Sequence, residues 1–364
     1  AACSDEARPE IEVQDTLWHL IDKSLVVAGE ADGVARYRLL ETVRQYSDEK
    51  LAQRSDRDAV RDRHLRWCAD LAVAFEAHRV SGDEGHWLRR LELEHDNIRA
   101  ALTWGTASPG QARAIEAATL AAHLFMFFGA HCHLSEGAEW MERARVASEH
   151  LPDVDTRALL AYGLATLEAR RGDYERAEAF YTRAMEDFAA QGDSRRSAWV
   201  LNDLGLISAD RGDLDRALEL HTRSLDLRRA LGDDAQVANA LGNLAEIALV
   251  RGEFAHADRL LEEGEMHLDR ARADWPLVRA EFAKDRGHVA LGMGDLDTAE
   301  DRFRDVLQRA TDNASPYVIT KAVIGLACIA AARDDAVTAN VLITVRGLTA
   351  GTPPIFPRAC TAAT

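Results

Sequence analysis

RGDYERAEAFYTRAM, running from Arg171 to Met185, places an Arg-Gly-Asp triplet directly ahead of an amphipathic run. The triplet returns as Arg211-Gly212-Asp213, then as Arg251-Gly252-Glu253 and Met293-Gly294-Asp295. Its glycines are spaced 40, 40 and 42 residues apart, and Asp334 continues the series after another 40. A fixed period of roughly 20–50 residues marks an array of stacked units. An alanine follows each mark by five residues, at Ala177, Ala217, Ala257, Ala299 and Ala339. A small residue precedes each by seven, at Ala165, Gly205, Ala245, Gly287 and Ala327. Apolar residues then recur at helical spacing, as in Tyr174, Ala177, Tyr181, Ala184 and Phe188.

Each unit therefore reads as two antiparallel helices. Glycine ends the first, where the chain turns through the left-handed region that other residues resist. The acidic residue after it opens the second helix, favoured by the free N–H groups there. The small residues mark where the helices cross, since bulk would push the axes beyond about 8–10 Å. On this reading Arg-Gly-Asp is a helix–turn–helix joint, not an adhesion signal.

These offsets resemble the tetratricopeptide repeat in its long-helix form. The likeness covers Thr156–Asp193, Arg195–Asp233, Asp234–Asp274 and Pro276–Asn313, and more weakly Ser315–Leu348, where Asp334 replaces the glycine. An earlier unit is expected over Gln111–His150, with Gly129 at its turn.

Ahead of the repeats the texture changes. Val13, Leu17, Leu20 and Ile21 make a helical face; Leu25–Val27 and Val34–Leu39 are β-prone runs about a turn bracketed by Gly29 and Gly33; Leu39–Leu51 returns to helical spacing. A helix, a β-hairpin and a helix form the end of a winged helix. Two amphipathic helices come after it, Asp58–His78 and Glu84–Trp104, the second with a break near Asp96-Asn97 that either residue would cap.

Bulk properties narrow the function. The 364 residues are 47% hydrophobic and 29% charged, with no apolar run approaching the ~20 residues that span a bilayer. The polar, acidic Ala1–Ile11 is not a secretory signal, and the missing initiator Met suggests a segment of a longer protein. With 44 basic against 61 acidic residues the net charge is −17, which opposes phosphate binding. Five scattered cysteines, Cys3, Cys68, Cys132, Cys328 and Cys360, fit a reducing compartment, and a cytoplasmic location is expected.

Four phrases in order carry a second resemblance: LIDKSLVV (20–27), RYRLLETVRQY (36–46), VRDRHLRWCADLA (60–72) and WLRRLELEHDNIRAAL (87–102). Together they are similar to the middle of actinobacterial STAND-type signal-transduction ATPases of the LuxR/AfsR-like kind. The resemblance implies a nucleotide-binding module upstream, a winged helix, a tetratricopeptide-type sensor and, in many members, a terminal DNA-binding helix-turn-helix. The chain itself has no GxxxxGK[ST] loop, and Leu39-Leu40-Glu41 stands where relatives carry a Met-His-Asp triplet. ATP or ADP is therefore expected only in the upstream module, with no cofactor in this chain.

Candidate sites are few. His131 and His133 straddle a turn near His123 and Cys132, but no further Cys or His follows at finger spacing, so no metal site is expected. Cys68, four residues from His64, reads as a packing residue. No catalytic motif stands out, and no enzyme activity is expected of the segment. A solenoid binds on its concave face. Counting the small crossing residue as position eight, positions two, five, six, nine and twelve face that groove. They give Tyr162 and Thr166; Trp199, Asn202, Asp203 and Leu206; Asn239, Asn243 and Glu246; and Lys284, Asp285 and His288.

The expected architecture is all-α: a winged-helix-like segment over 1–54, a helical linker over 55–110, a tetratricopeptide-like superhelix over 111–350 and a tail over 351–364. The expected function is the sensor and protein-interaction arm of a STAND-type regulator. Its partners would be a protein, peptide or small inducer and the parent's nucleotide-binding module, with an oligomer possible on activation. Direct nucleic-acid or membrane binding is not expected. The alternative is a stand-alone scaffold without ATPase or DNA-binding parts.

Overall fold

The computed structural model describes residues 10–31, 33–78, 84–107, 110–131, 133–150, 153–271, 276–313 and 316–335. Expectations at Cys3, Cys132, Ala339 and Cys360, and for the tail, lie outside them. The chain divides into two compact units, Ala1–Asp173 and Tyr174–Thr364.

The first unit opens with α1 (Glu10–Asp22), β1 (Val26–Ala31), β2 (Val34–Leu39) and α2 (Glu41–Ala52). The strands pair antiparallel from Val26↔Leu39 to Ala31↔Val34, and Gly33 turns the hairpin at φ +73°. This segment has little core of its own. Among its described residues only Val26 is buried, while Trp18, Val34, Tyr37 and Tyr46 are exposed. Arg36 ties the hairpin to the helical part of the unit, pairing with Glu94 and donating from Nη2 to Leu93 O at 2.7 Å.

Next come α3 (Arg57–His78), α4 (Glu84–Leu93), α5 (His95–Ala107), α6 (Gln111–Ala122), α7 (Phe125–Ala130), α8 (Leu134–Ser148) and α9 (Val154–Arg170). They enclose Leu65, Phe75, Leu91, Ile98, Leu102, Leu120, Phe127 and Phe128. Cys68 is fully buried there, as a packing residue should be. Two expectations need correction. The break between α4 and α5 falls at Glu94, two residues early, where the Glu94 carboxylate accepts from Asn97 Nδ2 at 2.5 Å. Gly129 is no turn glycine: it lies inside α7, and a Cβ on it would meet the Arg170 guanidinium at 2.9 Å.

The second unit comprises α10 (Tyr174–Ala190), α11 (Ser194–Asp210), α12 (Leu214–Ala230), α13 (Asp234–Val250), α14 (Phe254–Ala271), α15 (Pro276–Gly292), α16 (Leu296–Asn313) and α17 (Pro316–Ala332). The joints explain the repeat. Gly172, Gly212, Gly252 and Gly294 adopt φ of +83°, +82°, +75° and +82°, and Asp334 takes the same region at +59°. Each closes a helix with two backbone bonds. Gly212 N–H donates to Ala209 O and Asp213 N–H to Ser208 O, both at 2.9 Å, which satisfies carbonyls the helix end would leave free. The Asp213 carboxylate then accepts from Arg216 N–H and caps α12.

The glycines Gly192 (φ +70°) and Gly232 (φ +66°) do the same between α10 and α11 and between α12 and α13, with Asp193 and Asp233 as caps. The array therefore has a turn every 20 residues there, twice as often as the 40-residue triplet alone indicated. The crossing residues pack as expected. A Cβ on Gly205 would stand 2.7 Å from the His221 ring, and one on Gly287 would stand 2.7 Å from Phe303. Among the described residues no helix is long and apolar enough to cross a membrane.

Candidate functional site

In the second unit α11, α13 and α15 are the first helices of successive hairpins, α17 follows α16, and polar side chains join α11 to α13 and α13 to α15 directly. Two groups form. The first begins with Asn243 of α13, whose Nδ2 donates to Asn202 Oδ1 of α11 at 2.8 Å. Asn202 Nδ2 donates to Asp203 at 3.2 Å, and Asp203 also accepts from the Tyr181 hydroxyl of α10 at 3.1 Å. Each amide offers two donors and two lone pairs, so these bonds leave capacity for a ligand.

The second group is ionic. Lys284 of α15 places Nζ 3.0 Å from Glu246 Oε1 of α13 and 3.0 Å from its neighbour Asp285 Oδ1. Lys284 and Asp285 keep only 3% and 5% of their side chains exposed, so these charges must balance locally. Burial pushes the Asp285 carboxyl up to about 7, and the Glu246 and Glu281 carboxylates push the same way against Lys284. Burial also raises Glu246, but Lys284 outweighs it and leaves that carboxyl below its usual range. Lys284 thus serves chiefly Glu246. Burial, with Lys284 and Lys321 of α17 nearby, holds His288 down to about 3, so its imidazole is neutral.

This arrangement has a pH signature. Between its ordinary 3.8 and about 7, Asp285 holds a proton in the folded chain that the unfolded chain has released. Its contribution to stability is therefore fully present at the acid end and lost as pH rises through about 7. Asp285→Asn removes that titration. In urea unfolding, its stability relative to wild type is expected to increase between about pH 5 and pH 7.5; a flat difference would put the carboxyl in its ordinary range. His221 and His288, depressed to about 4 and about 3, act with the opposite sign below 6.5, but they are common to both proteins and cancel.

The other expected residues fall differently. Trp199 and Leu206 are half-buried on α11. Asn239 accepts from Arg228 Nη1 at 3.1 Å, a bond between α12 and α13. Tyr162 and Thr166 lie on α9 in the first unit. Tyr162 is buried edge-on against Phe125 with 5.4 Å between centroids, and the Thr166 hydroxyl donates to Tyr162 O at 3.0 Å. Glu281 and Lys321 were missed, although both occupy position two of their units. Tyr181 comes from a second helix, which the counting rule does not sample.

Residues 155–230 and 196–265 match the tetratricopeptide repeat family. These hairpins are tetratricopeptide-like repeats. Proteins named as HTH-type transcriptional regulators in Mycobacterium bovis and Mycobacterium tuberculosis are 41% identical over 128 residues, 35% of this chain. The chain spans 14% of the length of these curated relatives. Among solved structures, the tetratricopeptide fold recurs in a signal-transduction ATPase with numerous domains and a tetratricopeptide repeat sensor from Pyrococcus horikoshii. That likeness has TM-score 0.54 and 14% identity, covering 91% of this chain and 57% of the other. It recurs in aspartyl phosphate phosphatase F from Bacillus subtilis, at TM-score 0.59 and 13% identity over 95% and 96% of the two chains. NprR bound to its cognate peptide NprX gives TM-score 0.54 and 13% identity over 93% and 88%.

Proposed function

We propose that this chain is the sensor and interaction arm of a STAND-type ATPase transcriptional regulator. It would bind a peptide, protein or small inducer on the face of α11, α13 and α15, and relay that event to a nucleotide-binding module outside this chain. The observation that carries the reading is the polar ladder from Asn202 through Asn243 and Glu246 to Lys284, which joins three successive first helices. Paired amides can bond a peptide backbone through both donor and acceptor, and half-buried Trp199 supplies apolar contact. The names of the mycobacterial relatives and the peptide held by NprR agree with this reading.

The winged-helix-like segment, whose Trp18, Val34, Tyr37 and Tyr46 side chains are exposed, would dock on the parent's nucleotide module. Reversing a resting preference of 99:1 would require about 5.5 kcal/mol of differential affinity from the inducer. A peptide library displayed against the purified chain tests the binding step. Selected peptides are expected to lose at least about tenfold in affinity, or ~1.4 kcal/mol, in the Asn202→Ala/Asn243→Ala variant. Thermal melting checks that the variant is folded. Peptides that bind a folded double variant as well as wild type would place the site elsewhere.

A further inference from the structure

The first unit gathers side chains that the sequence keeps on separate segments. Glu92 lies near the end of α4, His95 opens α5, and His133 is the N-cap of α8. One ring nitrogen of each histidine and one carboxylate oxygen of Glu92 all lie within 4.8 Å of one another. His133 Nε2 stands 3.4 Å from Glu92 Oε2, and His131, the C-cap of α7, brings Nδ1 to 3.5 Å from the same oxygen. The His95 and His133 rings are 4.5 Å apart, with Phe127 packed edge-on behind His95 at 5.4 Å.

We propose that Glu92, His95 and His133 form a binding site for a divalent first-row transition cation, with zinc the best fit. Imidazole with carboxylate is a donor set that suits zinc. Two ligands held about 2.0–2.1 Å from a tetrahedral ion stand roughly 3.3–3.5 Å apart, which is the spacing of His133 and Glu92. Bringing His95 onto the same point takes a shift of about 1.5 Å or less, within reach of side-chain rotation.

His95 is 8% exposed, and its Nε2 makes no hydrogen bond among the described residues. A cation on one nitrogen would fix the ring's proton on the other. Glu136 Oε1, 3.4 Å from Nε2, is the nearby carboxylate, itself held by Arg99. Glu92 and His133 keep 43% and 28% of their side chains exposed, so an ion can enter from solvent. Three protein ligands leave a fourth position open to water or to His131, which shares the Glu92 carboxylate.

A hydrogen-bonded His–Glu cluster alone explains Glu92 with His131 and His133, but not the His95 ring brought within 4.8 Å of both Glu92 and His133. The proposal departs from the sequence expectation because the ligands missing beside His131 and His133 come from about 40 residues upstream, not from finger spacing.

The test uses the whole chain, stripped with a chelator and titrated calorimetrically with zinc chloride. A parallel cobalt(II) titration is read by its visible absorption. One equivalent of zinc and tetrahedral cobalt bands are expected. His133→Ala and Glu92→Gln, both at partly exposed positions, should each weaken zinc by at least about tenfold while retaining the wild-type circular dichroism melt. His86→Ala, at an exposed histidine outside the cluster, should leave binding unchanged. No stoichiometric zinc, or equal affinity in wild type and both cluster variants, would reduce the group to a hydrogen-bonded cluster and overturn the assignment.

Discussion

Phe303→Ala is expected to cost about 3–5 kcal/mol of unfolding free energy in the second unit, measured by urea denaturation. The ring is fully buried at the centre of a cluster drawn from α15, α16 and α17, with Val306, Val318, Ala322 and Ile329 around it. What sets it apart is how it is held. A Cβ on Gly287 of α15 would come within 2.7 Å of the ring, and one on Gly325 of α17 would come closer still. Two glycines, on α15 and α17, thus make a slot that one aromatic ring fills. Removing the ring leaves a cavity that rigid helices cannot collapse, which puts the cost at the upper part of the range for large-to-small changes. The converse follows from the same geometry. Gly325→Ala should lose about 1–3 kcal/mol by overpacking, and Phe303→Leu in the same chain should restore part of that loss. A Phe303→Ala cost below about 1 kcal/mol would mean that the helices relax around the gap.

Lys284→Met should have an effect of similar size and different origin. The ammonium is nearly fully buried between Glu246 and Asp285, and removing one partner of a buried pair typically costs about 3–5 kcal/mol. Here the loss should depend on pH. Asp285 already sits near 7, so without Lys284 it can escape ionisation by holding a proton. Glu246 can do so only by rising from below its usual range. The destabilisation is therefore expected to be smaller at about pH 6 than at about pH 8.5. Lys284→Met/Glu246→Leu should recover part of it, since removing both members of the pair leaves only Asp285, which can hold a proton. A single-variant cost that stays below about 1 kcal/mol across this range would show that water reaches the cluster and screens it.

Both effects depend on contacts between repeats, and this is where legibility in the sequence ends. The turns were readable because each is a local backbone event: a glycine in the left-handed region and an acidic cap one residue later suffice. The Gly-Asp pairs at Gly192-Asp193 and Gly232-Asp233 carry the same local signal, offset by 20 residues from the series that begins at Gly172. Gly129 misled because a glycine inside a helix, placed for close approach to Arg170, looks the same in sequence as a turn glycine. Tyr162 fell at a groove position by count, yet Phe125 covers it from an irregular earlier hairpin that the period does not describe.

The sequence alone determined the helical class, the hairpin unit, its joints and the small residues at its crossings, since each follows from backbone geometry repeated at a fixed interval. Tertiary structure alone decided that Asn243 meets Asn202, that Lys284 is shared by two carboxylates, and that Glu92, His95 and His133 converge. Those meetings join residues on separate helices. They depend on how far each helix is rotated and shifted against the next, which side-chain packing fixes and periodicity leaves open.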